Sequence, residues 1–427
     1  MAISNLTINL INLSTESFPR VGYRLKPATH NTKRGTRNFF LYALLYTALA
    51  LQVHAQNGPT GFPELVMTNL PGAPKLAKPL LIEGNKPVIA QGYGLAAPAF
   101  RDWDGDGLKD LLLGEFSSGK EFSRHFGNFI RVFLNTGSEI NPEFKGQFTY
   151  AFPPSGHSDG TPYSIDQYCC MGFTPQFVDL NADGREDMIT GNYFGEVIWF
   201  KGSDKGFLEG ENLAQEGDTV LRNDKLWYEQ VRWSYSSASF GDFTGDGLPD
   251  LITGGRSLQI SKNIGTAAAP AFAKRVLLLD TDGSPLKVYE YTPEELKEKQ
   301  KQEAQSTYVI GGVSRITNPV WVAGDYALSP YVVDWDHDGI LDLLVTNSYF
   351  HKGLDAVSFF KGTKIKDTYR FQKGVTLFTA KNGTKSFPGS GPRIFITDWN
   401  SDGVNDLLIG TSVITVRGEF SSLLSWN

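Results

Sequence analysis

The sequence predicts an all-β fold, a β-propeller of four-stranded antiparallel blades. Three observations predict it. An acidic nine-residue phrase recurs five times in 427 residues. Short apolar runs flank every copy, with the length and spacing of strands. Aromatic residues make up 13% of the chain, and 45 glycines spread turn signals throughout. Repetition of one phrase favours a single repeat array over two or three unrelated domains.

The phrase is D-x-[D/N/T]-x-D-G-x-x-D. Its copies place Asp102, Asp104, Asp106 and Asp110 in loop one, and Asp179, Asn181, Asp183 and Asp187 in loop two. Loop three has Asp242, Thr244, Asp246 and Asp250; loop four has Asp334, Asp336, Asp338 and Asp342; loop five has Asp398, Asn400, Asp402 and Asp406. Oxygens at positions 1, 3 and 5 converge when the chain turns tightly. The glycine at position 6 permits that turn, and the ninth Asp is expected to close the site. Such an oxygen shell suits Ca²⁺ better than the stricter Mg²⁺. An EF-hand needs Glu at position 12. Those positions are Leu113, Thr190, Thr253, Val345 and Ile409, so EF-hands are excluded. One copy alone reads as a plain acidic turn; five copies in one setting do not. Loops one and four carry four carboxylates each, and Thr244 makes loop three the weakest candidate.

From the start of the chain, residues 1–55 read as a signal peptide. Lys33, Arg34 and Arg37 precede an apolar run over 39–51, too short to span a bilayer, and a small-residue cleavage site at 53–55. The expected destination is secretion, periplasmic or extracellular, with no membrane span in the mature chain. The formal net charge is −6 and the basic leader dilutes it, which argues against nucleic acid or an anionic membrane as partner. The two cysteines, Cys169 and Cys170, are adjacent, so no disulfide framework exists. They fit either a vicinal disulfide or two buried thiols.

Each loop is preceded by a short strand: 97–101, 174–178, 237–241, 329–333 and 393–397. Each is followed by an apolar strand, then by a third strand, seen at 130–137, 196–202, 257–263 and 356–362. A looser fourth strand follows, introduced in two repeats by Pro142-Glu-Phe144 and Pro270-Ala-Phe272. The repeats are spaced 77, 63, 92 and 64 residues apart. The longest interval holds one inserted helix near 293–305, with Thr292 as cap and Glu295 completing a capping box. Its polar body reads as a surface excursion.

Residues 56–427 resemble the FG-GAP/VCBS repeat family, the calcium-loop propellers that also form integrin α heads. The resemblance rests on the five loops and their flanking strands. Members often have seven blades, so this chain is either a compact ring of five or a piece of a larger ring. Segment 57–95 is available to complete the last blade.

The resemblance puts the calcium loops on the bottom face, and strand alternation puts the other connections on top. Arg124, His125, Tyr193, Trp233, Arg256, Tyr349 and His351 then form the candidate ligand-binding set, and the same top-face connections are expected to carry Glu115, Asn192, Asn347 and Arg393. Aromatic faces stack on sugars and Arg pairs with uronate or sulfate. The alternative is that these side chains pack the top of the propeller.

The expected partner is therefore a polysaccharide or cell-surface glycan, bound by a non-catalytic binding or adhesion module. A protein partner of the integrin kind is a further option. The enzymatic alternative is a polysaccharide lyase, with His125 or His351 as base, Tyr193 or Tyr349 as acid and Arg124 or Arg256 as clamp. No phosphate loop, H-E-x-x-H or C-x-x-C occurs.

Overall fold

The computed structural model describes residues 3–13, 63–82, 94–116, 127–145, 147–153, 161–166, 172–192, 195–213, 237–255, 257–288, 292–295, 297, 309–310, 313–314, 328–347, 357–365, 368–383, 386–387 and 390–415. These form a β-propeller of antiparallel four-stranded blades. Blade one runs Gly94–Arg101, Asp110–Phe116, Gly127–Phe133 and Thr149–Tyr150, with Ser164–Asp166 also pairing to its third strand. Blade two runs Gln176–Val178, Asp187–Gly191, Val197–Phe200 and Glu211–Asn212. Blade three runs Ala238–Gly241, Asp250–Thr253, Gln259–Ser261 and Val276–Leu277. Blade four runs Leu328–Val333, Asp342–Asn347, Val357–Phe360 and Val375–Thr376.

The fifth sheet takes strands from both ends of the chain. Ser390–Thr397 and Asp406–Thr415 pair, Ile3–Leu13 adds to the latter, and Leu76–Leu81 closes the order. The strand at 3–13 departs from the sequence reading, which keeps residues 1–55 out of the fold. In sequence, Leu6, Ile8 and Leu10 alternate with Thr7 and Asn9, the period of a strand. The remainder of the leader lies outside the described residues, as do Cys169 and Cys170.

The first strand of every blade is a sheet edge. That is why Pro98 and Pro330 sit within it, opposite Leu113 and Val345: an edge residue needs no N–H for a ladder on that side. The second strand is buried along its length in blades two, three and four. Consecutive blades meet through a glycine four residues past the ninth Asp. A Cβ on Gly114 would lie 1.9 Å from the Phe173 carbonyl oxygen of blade two. On Gly254 it would lie 2.1 Å from the Leu328 oxygen of blade four, and on Gly410 it would lie 2.4 Å from the Ala96 oxygen of blade one. In blade four this place belongs to Thr346, whose hydroxyl instead donates to the Pro392 carbonyl at 2.8 Å.

The Gly410 contact brings blade five against blade one. Phe100 and Trp399 stack there with centroids 4.4 Å apart, and Lys109 donates to the Asp398 carbonyl at 3.2 Å. The ring is thus closed by blade five on blade one. Burying such aromatic pairs between blades favours their association, at about 25 cal/mol per Å² of apolar surface removed from water.

The inserted helix begins as its sequence dictates. Thr292 accepts the Glu295 N–H at 3.2 Å and Glu295 accepts the Thr292 N–H at 3.0 Å. Residues 293–295 and 297 are helical, and the rest of the expected helix lies outside the described residues. Among the described residues, no helix is long and apolar enough to cross a membrane.

Candidate metal centre

The five acidic loops fold alike. The first Asp of each reaches forward and accepts the N–H of the sixth-position glycine: Gly107 to Asp102 at 2.9 Å, Gly184 to Asp179 at 2.9 Å, Gly247 to Asp242 at 2.9 Å, Gly339 to Asp334 at 3.0 Å and Gly403 to Asp398 at 2.9 Å. The fifth-position Asp then accepts the N–H two residues on, as Leu108 gives to Asp106 at 2.8 Å and Ile340 to Asp338 at 2.9 Å. All five of these glycines lie at φ between 83° and 90°, the left-handed region. Position four lies there too, and sequence reasoning missed it. It is glycine in loops one and three, but Ala182, His337 and Ser401 hold φ of 53°, 56° and 56° in the others.

The turn gathers carboxylates at positions 1, 3 and 5. In loop one, oxygens of Asp102, Asp104 and Asp106 lie within 4.8 Å of one another, and in loop four those of Asp334, Asp336 and Asp338 do the same. Two oxygens each about 2.3–2.6 Å from one ion stand at most about 5 Å apart, so both groups fit a single hard cation. Asp336 adds a buried Oδ1 with no hydrogen-bond partner, an acceptor suited to a cation. In loops two and five the third position is an amide, and it already donates to the fifth-position Asp: Asn181 to Asp183 and Asn400 to Asp402, each at 3.1 Å. A bound cation would supply positive charge where three carboxylates converge; the side chains named would hold it.

The ninth Asp has a task that the sequence reading did not assign. Asp110 accepts the Trp103 N–H at 2.9 Å through one oxygen and the Asn135 N–H at 2.8 Å through the other. Asp187 does this for Leu180 (3.1 Å) and Gly202 (2.6 Å), Asp250 for Phe243 (3.0 Å) and Asn263 (2.8 Å), and Asp342 for Trp335 (3.0 Å) and Gly362 (2.7 Å). Asp406 accepts from Trp399 at 3.0 Å. In blades one to four this carboxylate ties the loop to the end of the third strand. Burial pushes the Asp110 and Asp250 carboxyls above the ordinary range against the pull of those N–H groups, and raises Asp342 to about 6. The signal was available: the ninth Asp is invariant among the five loops, whereas position 3 varies.

Loop four differs from loop one in its surroundings. The Lys361 ammonium sits against the carboxylates of Asp336 and Asp338. Burial depresses the ammonium pKa, but the hydrogen bonds to the two Asp groups outweigh it, and the net direction is upward. The same hydrogen bond holds the Asp338 carboxyl below its ordinary value. A turn at 69–75 also covers this loop: a Cβ on Gly72 would lie 2.3 Å from the Asp336 carbonyl oxygen. Asp336 is 8% exposed, whereas Asp104 and Asp106 are open to solvent.

Of the expected top-face set, Arg124, His125, Tyr193, Trp233, Arg256, Tyr349 and His351 all lie outside the described residues. Glu115, Asn192, Asn347 and Arg393, expected on the same top-face connections, are described, and contrary to that expectation they are buried. Glu115 pairs with Arg131 at 2.8 Å, both side chains fully enclosed, and Phe148 covers the guanidinium at 4.3 Å from its centroid. The Asn192 amide donates to Glu196 at 2.6 Å. Arg393 is 2% exposed, and burial lowers its pKa to about 10. For these residues packing is the role the structure supports. Arg131 was missed by the sequence reading; its signal was a charge inside the apolar run Phe129-Ile-Arg-Val-Phe133.

Comparisons with known proteins add little to the fold. No protein-family model matches the chain. It is similar to the phosphatidylinositol-glycan-specific phospholipase D of Mus musculus, 23% identical over 349 residues, covering 78% of this chain and 36% of that protein. The Bos taurus enzyme of the same name is 25% identical over 213 residues, covering 50% of this chain and 23% of that one. The chain thus spans about a third or less of the curated relatives it matches. Among solved structures, the Tc holotoxin pore of Photorhabdus luminescens aligns over 82% of this chain and 12% of its own, with a TM-score of 0.30 and 14% identity. A likeness of that size carries no argument.

Proposed function

We propose that this chain is a secreted, calcium-stabilised β-propeller of the FG-GAP/VCBS kind, a module that binds carbohydrate or surface polymers. One observation carries the calcium part. Loop one gathers three carboxylates within 4.8 Å; the Arg101 guanidinium beside it donates to the Asp102 backbone carbonyl at 3.4 Å. Like charges so placed repel, and an external cation relieves the repulsion. Calcium would then fix the hinge between first and second strands in each competent blade, and the blades would support the connections at the other face. The glycan part rests on the aromatic, Arg and His composition of those connections. The two curated relatives carry a glycan in their names, which agrees with it.

The test uses the full chain, residues 1–427, because Ile3–Leu13 is a strand of blade five. Melting would be followed with calcium and with chelator, and retention measured on a panel of immobilised neutral and uronate polysaccharides. The expected result is a higher Tm in calcium and retention on at least one polymer. An identical Tm under both conditions would sink the calcium reading; absence of retention on every polymer would sink the glycan reading. The same uronate panel is followed by ultraviolet absorbance of unsaturated products. A rise that vanishes in His125→Ala or His351→Ala would replace the binding module with a lyase.

A further inference from the structure

We propose that the Lys361 ammonium is the resident cation of loop four, so that this loop takes no calcium while loop one does. The inference rests on the reading of these loops as calcium sites.

Register isolates the residue. The residue after each ninth Asp pairs with a residue of the third strand: Leu111 with Phe133, Met188 with Phe200, Leu251 with Ser261 and Leu343 with Phe360. The next residue of each third strand stands beside its acidic loop. In the four blades it is Leu134, Lys201, Lys262 and Lys361. Blade one has Asp at position 3 but a leucine here, so this position supplies no cation; its nearby Arg101 donates to the Asp102 backbone carbonyl rather than pairing with the gathered carboxylates. Blades two and three have lysine here but Asn181 and Thr244 at position 3. There the lysine goes elsewhere: Lys201 pairs with Glu211 at 2.6 Å and lies 4.3 Å over the Trp199 ring, and Lys262 is exposed. Blade four alone combines the lysine with Asp336, and there the ammonium turns into the loop against Asp336 and Asp338.

Asp334 accepts the N–H groups of Asp338 at 3.1 Å and Gly339 at 3.0 Å. This first-position carboxylate does not separate the two loops, since Asp102 accepts Gly105 at 2.7 Å and Gly107 at 2.9 Å in the same way. The difference is the ammonium on Asp336 and Asp338, which leaves only the Asp336 Oδ1 without a partner. A tethered ammonium competes as if present at high concentration, and calcium entering loop four must displace it. The turn at 69–75 restricts exit on one side, because Gly72 already touches the Asp336 backbone. The sequence therefore offers two loops of equal carboxylate count, one that must recruit its cation and one that carries its own.

The test compares the full chain with Lys361→Met and Asp104→Asn. Bound calcium is counted by equilibrium dialysis, and Tm is recorded in chelator and in calcium. In chelator, Lys361→Met is expected to lower Tm by about 2–5 °C. It should bind one more calcium per chain than the parent, and calcium should restore the lost Tm. Asp104→Asn should bind one fewer. An unchanged Tm of Lys361→Met in chelator would overturn the proposal, and so would equal calcium counts in parent and Lys361→Met. If parent, Lys361→Met and Asp104→Asn all bind none, the calcium reading itself has failed and Lys361 is an ordinary ion-pair partner. A lowered count in Asp104→Asn with no gain in Lys361→Met would leave the calcium reading standing and remove the lysine proposal alone.

Discussion

Loops one and four carry the same four carboxylates, yet they occupy different physical settings. Loop one is open to solvent on Asp104 and Asp106, with glycine at its fourth position and leucine beside it. Loop four is covered by the turn at 69–75, has His337 at its fourth position and holds an ammonium against two of its acids. The carboxylate count alone therefore does not fix a loop's surroundings. The third strand and the covering segment, distant in sequence, set the charge balance.

What the two loops share should respond most strongly to mutation. Asp110 and Asp342 each satisfy a loop N–H and a third-strand N–H from a buried carboxylate. Asp110→Ala leaves both groups unpaired, at about 1–3 kcal/mol each. Asp342→Ala should cost the same, about 2–6 kcal/mol in urea unfolding, whether or not calcium is present. A loss for either that calcium fully restores would show that the ninth Asp acts as a ligand first and a clamp second.

The covering turn should matter for loop four alone. Gly72→Ala meets both a positive φ of 82° and a backbone oxygen at 2.3 Å, so the turn must lift. About 1–3 kcal/mol is expected. Hydrogen exchange should speed up at Trp335 and Asp336 and stay unchanged at Trp103 and Asp104. Equal acceleration in both loops would mean that the turn supports the ring as a whole.

Protonation offers a finer comparison. The folded Asp342 carboxyl titrates near 6, above its ordinary 3.8. A raised folded value means that the group favours folding most below the unfolded pKa, and that this advantage is lost as pH rises through 6. In chelator, stability should therefore fall by about 1 kcal/mol between pH 5 and pH 7 from this group. Asp342→Asn should flatten that slope. A slope that persists unchanged in the variant would assign it to other acids.

The repeat phrase made the blade pattern legible because a turn needs glycine at one place and strands need apolar runs beside it. The glycine at Gly114, Gly254 and Gly410 was visible as a recurring letter, but its cause, contact with the next blade's carbonyl, required the ring. Loop one's acids were legible for the same local reason. The Lys361 contact was not, because it joins residues 23–25 apart through strand register. Nor was the Glu115–Arg131 pair, which local pattern reads as one polar connection residue and one interruption of a strand. The third strand at 3–13 was hidden by a leader-like stretch that follows it.

The smallest effect separates the loops at their fourth position. Gly105 and His337 share a left-handed backbone, at φ of 81° and 56°. A residue with a Cβ pays about 1–2 kcal/mol there, while glycine loses more chain entropy on folding, roughly 0.4–1 kcal/mol. His337→Gly should therefore stabilise by at most about 1 kcal/mol. Gly105→Ala, with open space around its Cβ position, should destabilise by a similar amount. The two changes are near-mirror images, so their Tm shifts should be opposite in sign. Should His337→Gly destabilise instead, the imidazole would have a role in loop four beyond occupying the turn, and the two loops would differ at one more position than their carboxylates reveal.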